Sequence, residues 1–137
     1  MLDQRQIHTV IDTLIREARI RSVSDIHITE GMHVWYRIHG CLTQARQVLD
    51  GYDIREVLLG MMNEKQRKQF EEGQDVDFSW QTTDGCRQRV NIFCEQKKIA
   101  ATIRLLNQQI PTLEELKIPT TLYQLSEEPR GIILVTG

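Results

Sequence analysis

The sequence predicts a mixed α/β protein in which helices flank an antiparallel sheet. Three observations lead to this prediction: a long amphipathic segment near the N-terminus, two closely spaced helix-start signals in mid-chain, and two alternating apolar runs separated by a short polar turn. The chain has 137 residues, of which 40% are hydrophobic and 26% are charged. This length and balance are typical of about one globular domain with a substantial core.

Helical periodicity and capping signals predict three helices. The first covers residues 3–21, where Asp3 can cap the start. The second begins at Asp53. The third follows Asn63, has a glutamine at the capping-box position, and ends at Gly73. The apolar positions that recur at helical spacing in the first helix are Ile7, Val10, Ile11, Leu14, Ile15 and Ala18.

Alternation of apolar and polar residues predicts the strands. Three runs lie around residues 26–28, 34–38 and 76–80. Two longer runs, Cys86–Cys94 and Ile99–Leu106, are separated by a polar stretch and are typical of an antiparallel hairpin. Centring the turn between residues 96 and 97 produces one apolar face, as the burial rule for paired strands requires. The apolar pairs are then Val90–Ile103, Ile92–Ala101 and Cys94–Ile99.

The same register places Arg89 directly opposite Arg104 on the polar face of the hairpin, beside the pair Asn91 and Thr102. Opposed like charges repel by roughly a few tenths of a kcal/mol. A bound polyanion would replace that repulsion with attraction, since the guanidinium fork fits phosphate oxygens. The alternative is that both arginines are solvated or paired with a nearby carboxylate. The candidate carboxylates are Asp75, Asp77 and Glu95.

Composition excludes several classes of protein. A net charge of −2 indicates that the chain lacks the generally basic surface of a nucleic-acid-binding protein. The longest aliphatic run, Ile132–Val135, is too short to span a bilayer, so no membrane insertion is expected. The N-terminus lacks the apolar segment of a signal peptide, which predicts a cytoplasmic protein. The chain has three cysteines, an odd number without CxxC spacing, which favours reduced thiols over disulfides or zinc.

The character of the sequence changes after residue 107. Prolines and the acidic pair Glu127–Glu128 interrupt short apolar pieces, as in a linker with one or two short helices, and the linker is predicted over residues 108–120. Ile132–Val135 then forms a continuous β-favouring run, typical of a strand buried on both faces. A buried strand that runs into Thr-Gly is also how a P-loop begins, and Gly137 would be the first glycine of that loop. Residues 121–137 are therefore expected to begin a second domain.

Seven short motifs follow one another along the chain: SDIHI (24–28), YRIHG (36–40), MNEKQRKQFEEGQDVDFSW (62–80), RQRVNIF (87–93), ATIRLL (101–106), PTLEEL (111–116) and PRGIILVTG (129–137). With these motifs in this order, the chain resembles the N-terminal half of the type II/type IV secretion ATPase superfamily. Within the superfamily it most resembles the ATPases that retract type IV pili.

The resemblance implies a PAS-like N-terminal domain over residues 1–107, joined by the linker to a truncated RecA-like P-loop ATPase domain. It implies a cytoplasmic homo-hexamer that is peripheral to the inner membrane and binds pilus or secretion platform proteins there. With ATP and Mg²⁺, the full-length motor would power pilus retraction and twitching motility. Arg89 and Arg104 would reach the ATP phosphates, and Gly137 would be the first Walker A glycine. The 137-residue chain alone is expected to be inactive, because it holds no complete catalytic site.

Three alternatives stay open at this point: a type II secretion or pilus assembly ATPase domain, a PAS-like sensor, and a non-enzymatic adaptor. His39 occupies a position where the resembled family usually has an acidic residue. We expect His8 in a helix and His27 and His39 in strands, and no metal site, because no His pair or thiolate has ligand spacing. Four other residues are expected to be structural: the carboxylates Asp25 and Asp77 and the aromatics Trp35 and Trp80.

Overall fold

The structure is a computed structural model that describes residues 1–46, 48–107 and 109–136. It divides into two compact units, Met1–Leu106 and a second unit that begins at Asn107. The first unit contains three helices and a six-stranded sheet. The described part of the second unit contains one short helix, Thr121–Ser126 (α4).

The three helices of the first unit are α1 (Gln4–Ile20), α2 (Ile54–Met61) and α3 (Glu64–Glu71). The structure confirms each predicted start. Asp3 and Asn63 cap α1 and α3 in reciprocal capping boxes, and Asp53 caps α2 through its side chain. These caps satisfy backbone N–H groups that have no partner inside their helix, and so determine where each helix begins.

The sheet is antiparallel throughout, with strand order β3-β2-β1-β6-β5-β4. The mixed α/β class and the hairpin register are both confirmed, with Arg89 opposite Arg104. Gln96 and Lys97 have φ values of 48° and 67°, which match the left-handed turn that suits a two-residue hairpin. The strands are β1 (Val23–Thr29), β2 (Trp35–Ile38), β3 (Cys41–Gln44), β4 (Val76–Gln81), β5 (Arg87–Glu95) and β6 (Lys98–Leu105).

The core lies between one face of the sheet and the helices α1 and α2. The two helices approach closely at Gly60, where an added Cβ would clash with Cδ1 of Ile7. The opposite face of the sheet, termed the polar face, carries the outward side chains of β1, β2, β5 and β6. The largest fully buried side chains include Tyr36, Ile11, Ile15, Ile26, Ile28, Leu58, Ile92, Ile99 and Ile103.

Two predictions about local structure are wrong. Ile132–Val135 forms no strand, and the exposed fractions of Ile132 and Val135 are 85% and 94%. A strand buried on both faces needs hydrogen-bonded neighbours, and the described part of the second unit contains no strand that could pair with it. His39 lies in the turn between β2 and β3, with φ at 48°, because it and Gly40 reverse the chain there.

Gly137, predicted as the first glycine of a P-loop, lies outside the described residues. The linker at 108–120 and the domain start at 121 stay predictions. None of the described helices has both the length and the apolar character that crossing a membrane requires.

Candidate phosphate-binding face

Four charged residues stand side by side across the polar face, one from each of four neighbouring strands. In the strand register, Arg37 on β2 lies opposite Asp25 on β1, and Asp25 lies opposite Arg104 on β6. Arg104 in turn lies opposite Arg89 on β5. We name these four residues the arginine row. The strand register alone aligns them, so the row is a direct product of how the sheet is assembled.

Arg89 is paired with Asp77 on the neighbouring strand β4. Its Nε donates to Oδ1 of Asp77 at 3.0 Å and one terminal nitrogen donates to Oδ2 at 2.9 Å. This is the bidentate geometry that guanidinium groups form with carboxylates. The hydrogen bond from Arg89 holds the pKa of Asp77 below its usual value, and the same contact raises the pKa of Arg89. Both side chains face solvent, with exposed fractions of 65% for Arg89 and 44% for Asp77.

Arg104 is paired with a carboxylate in a very different environment. Its Nε donates to Oδ1 of Asp25 at 2.8 Å, and the Asp25 side chain is only 7% exposed. The hydroxyl of Ser24 donates to Oδ2 of Asp25 at 2.8 Å, and Nε of Arg37 lies 3.9 Å from the same oxygen. Burial raises the pKa of Asp25, but the hydrogen bonds from Arg104 and Ser24 outweigh it, so this pKa lies below its usual value. Asp25 is therefore a buried, ionised anchor for Arg104.

A bulge in β1 explains how Asp25 reaches this position. The register with β2 shifts between Val23 and Asp25. Because side chains in a regular strand alternate between faces, Val23 and Ile26 would otherwise point in opposite directions. The shift allows both of them to be buried in the core while Asp25 lies beside Arg104.

His27 lies one step along the sheet, next to Thr102 on β6. Its Nδ1 is 3.4 Å from the Thr102 hydroxyl, and its buried Nε2 has no hydrogen-bond partner among the described residues. Burial, and then the positive charge of Arg37, lower the pKa of His27, which favours a neutral imidazole at pH 7. Its neighbour in β2, Trp35, is 38% exposed.

The contacts of the remaining candidate residues, His8 and Trp80, are typical of a structural role. His8 lies 3.4 Å from the buried Asp12 and packs on the buried ring of Trp80, with ring centroids 4.7 Å apart. Within residues 1–46, 48–107 and 109–136, no cluster of three or more His, Cys, Asp or Glu side chains could hold a metal ion.

Sequence reasoning located the two arginines but missed their neighbours in the row. Three nearby carboxylates are candidate partners of Arg89 in the sequence, and the structure pairs it with Asp77. The roles of Asp25 and Arg37 were not foreseen, because the pairing of β1 with β6 joins distant parts of the chain. The available signal is the position of Asp25 directly before the alternating apolar residues Ile26 and Ile28.

Comparison with known proteins gives this fold a context. The chain is 31% identical over 128 residues to the type IV pilus retraction ATPase PilT of Pseudomonas aeruginosa, covering 93% of the chain and 37% of that protein. It is 32% identical over 127 residues to the type IV pilus ATPase PilU of the same organism, covering 92% of the chain and 33% of that protein. It thus spans about a third of the length of these curated relatives. No family model matches the chain.

A crystal structure of the pilus retraction motor PilT with bound ADP matches the fold at a TM-score of 0.71 and 31% identity, covering 86% of this chain and 35% of that one. The sheet and its flanking helices are those of the N-terminal domain of PilT-like ATPases. These similarities support the type II/type IV secretion ATPase superfamily for this chain, which is similar to the N-terminal domain of its members.

Proposed function

We propose that the chain is the N-terminal domain of a hexameric ATPase that retracts type IV pili and so drives twitching motility. Within that motor, Arg89 and Arg104 contact the phosphates of ATP. The observation that carries the proposal is the placement of these two arginines directly opposite each other on the polar face, both with exposed side chains. The similarity to PilT and PilU supports the motor class.

The chemistry of the row suits a phosphate chain. Two opposed guanidinium groups repel each other unless negative charge lies between or beside them. Asp25 and Asp77 provide such charge from the sides of the pair. A triphosphate adds negative charge in front of it, and arginine can bind two of its oxygens at once. Charge that develops during phosphoryl transfer would strengthen the contact.

The rest of the machine would come from parts of the protein outside this chain. The proposal includes a Walker A loop whose first glycine is Gly137, with Mg²⁺ bound beside the phosphates in the ATPase domain. Each N-terminal domain would move against the core of its neighbour in the ring. The motor would act in the cytoplasm, attached to inner-membrane pilus platform proteins. The 137-residue chain by itself is expected not to hydrolyse ATP, because phosphoryl transfer needs a positioned lysine and metal.

The test is the ATPase rate of the full-length protein with Arg89→Ala or Arg104→Ala. Arg89→Ala should fold normally, because Arg89 and its partner Asp77 are both exposed. Arg104→Ala leaves the buried Asp25 with only Ser24 and Arg37 as partners, so this variant should fold with reduced stability. Each variant should lower kcat by about tenfold or more, because a charged donor to the phosphates is lost. Lysine at either position should restore activity only in part, since it keeps the charge and loses the planar fork.

Arg87→Ala is the matched control, since Arg87 lies on the same strand but opposite Gln81 at its end. This variant should keep nearly full activity. Normal ATPase rates for Arg89→Ala and Arg104→Ala would show that the arginines are ordinary surface charges. Loss of folding in either variant would assign the pair a structural role instead.

A further inference from the structure

We propose that Asp25 and Asp77 act on the two arginines in opposite ways. Asp25 is a positioning residue that holds Arg104 ready for a triphosphate chain, whereas Asp77 is an internal competitor that the phosphates must displace from Arg89. This inference rests on the proposed function of the two arginines and assigns separate roles to their acidic partners.

The ion pair between Asp25 and Arg104 should stay in place when a phosphate binds. The carboxylate is almost fully buried, so it cannot exchange Arg104 for water without leaving a charge unpaired. Ser24 and Arg37 hold its other oxygen, which restrains the carboxylate further. The ion pair uses Nε of Arg104, while the Arg104 side chain remains 63% exposed. A phosphate can therefore approach Arg104 while Asp25 continues to hold it.

The ion pair between Asp77 and Arg89 can be replaced by a contact between Arg89 and phosphate. Asp77 engages both Nε and a terminal nitrogen of Arg89, which is the pair of donors that would bind two phosphate oxygens side by side. Both partners are exposed, so water can solvate Asp77 as soon as Arg89 leaves it. Ion pairs between exposed side chains contribute little free energy and are readily replaced. A triphosphate carries more negative charge than a single carboxylate and can therefore displace Asp77 from Arg89.

These contacts imply an order of events on the polar face. The triphosphate first meets the fixed guanidinium of Arg104. Arg89, directly opposite on the next strand, then turns from Asp77 to the bound phosphates. The negative charge of the ligand removes the repulsion between the two guanidinium groups. Without a ligand, Asp77 keeps Arg89 neutralised and lowers the affinity of the face for other anions.

Two isosteric substitutions in the full-length protein separate the roles. Asp77→Asn weakens the competing contact, so the Kd of a fluorescent ATP analogue should fall by about threefold to fivefold. Asp25→Asn loosens Arg104 and should lower kcat by about tenfold, because misplacement of a charged donor costs rate. Asp75→Asn is the matched control: Asp75 is an exposed carboxylate two residues from Asp77 and forms no ion pair with any described residue. Its Kd and kcat should not change.

A double-variant cycle distinguishes positioning from a general loss of structure. If Asp25 acts through Arg104, then adding Asp25→Asn to Arg104→Ala should produce no further loss of kcat. Thermal unfolding of each variant reports whether it folds. If Asp25→Asn does not fold, Ser24→Ala serves instead. Ser24 is exposed, and this change removes the hydrogen bond that its hydroxyl donates to Asp25. It should lower kcat by about twofold to threefold.

The outcomes separate this inference from the proposed function. If Arg89→Ala and Arg104→Ala reduce ATPase activity but Asp77→Asn does not lower the Kd, or Asp25→Asn does not lower kcat, the opposite roles are overturned and the arginine contact stands. If the arginine variants themselves have normal activity, the proposed function fails, and the opposite roles fail with it. An additive loss in the double variant would assign Asp25 a role independent of Arg104.

Discussion

Individual partner residues determine which carboxylates this small domain can bury. Among the described residues, the buried carboxylates are Asp12 and Asp25, and each has a defined partner. Asp12 accepts a hydrogen bond from the backbone N–H of Thr83 at 2.9 Å, and Asp25 is held by Arg104 and Ser24. Buried charge is costly unless it is paired, so both sites stabilise the fold only while their partners remain.

Asp84, in the turn between β4 and β5, should make the domain sensitive to acid. The hydrogen bond from the Thr82 hydroxyl at 2.6 Å lowers the pKa of Asp84 most, followed by hydrogen bonds from the Cys86 side chain and from the Cys86 backbone N–H at 3.2 Å; this pKa lies at about 2. A carboxyl whose folded pKa lies below its unfolded value stabilises the fold above about pH 4, and this contribution disappears as the pH falls toward 2. Asp84→Asn should therefore lose less stability than the parent between pH 4 and pH 2.

The measurement is urea unfolding at pH 6, 4 and 2.5, with Asp75→Asn as the control for removing an exposed carboxyl. The parent and the control should lose the same amount of unfolding free energy across this range, and Asp84→Asn should lose less. A parallel loss for Asp84→Asn would show that other carboxyl groups account for the acid sensitivity.

The candidate site illustrates what sequence reasoning reaches at this scale. The opposition of Arg89 and Arg104 followed from the apolar pattern of one hairpin, because a two-residue turn leaves a single register that buries the right face. The pairing of Arg104 with Asp25 needs the contact between β1 and β6. No local pattern encodes such a pairing, since it depends on how separate parts of the chain assemble.

At the scale of elements, the close contact between α1 and α2 depends on the lack of a side chain at Gly60. Gly60→Ala adds a Cβ that clashes with Ile7, and Ile7 is itself buried. Alanine favours a helix over glycine by about 1 kcal/mol, whereas overpacking costs about 1–3 kcal/mol. We expect net destabilisation of about 1 kcal/mol, measured by chemical unfolding.

The double variant Ile7→Val/Gly60→Ala tests the cause. Valine lacks the Cδ1 atom that meets the added Cβ, so the second change should recover much of the stability lost in Gly60→Ala. Ile7→Val alone should be mildly destabilising, by about 1 kcal/mol. Additive losses in the double variant would locate the strain elsewhere.

Helices and strands differed in how well their positions could be predicted. The helix starts at Asp3, Asp53 and Asn63 are local events, because each cap satisfies backbone groups within three residues. Strand β3 was missed, since all four of its residues are exposed and an edge strand of this kind lacks apolar alternation. The predicted strand at Ile132–Val135 failed for the opposite reason: its composition favours a strand, but the described residues around it contain no strand with which it could pair.

At the scale of the whole molecule, the first unit should fold without the second. Every buried residue of the core lies between Ile7 and Ile103. A chain cut after Leu106 should therefore unfold cooperatively, with a Tm within about 5 °C of the 137-residue chain, because a loss below about 1 kcal/mol shifts Tm by no more than a few degrees.

A chain cut after Lys97 is the matched control, since it removes β6 from the middle of the sheet. This shorter chain should show no cooperative transition by circular dichroism. A chain of residues 1–106 that fails to unfold cooperatively would show that later residues contribute to the stability of the first unit.

The central place of β6 also has a consequence for how the protein acquires its charged surface during synthesis. β6 is the last strand of this sheet in chain order, yet it joins β1 to β5. Before it arrives, β1–β3 and β4–β5 can form only as separate pieces, and joining them closes a long loop at an entropic cost. Arg104 is carried by this final strand, so its contacts with Asp25 and Arg89 form only when the sheet is complete. An incompletely folded chain cannot display the arginine row, so the phosphate contact that we propose for this row requires the complete sheet.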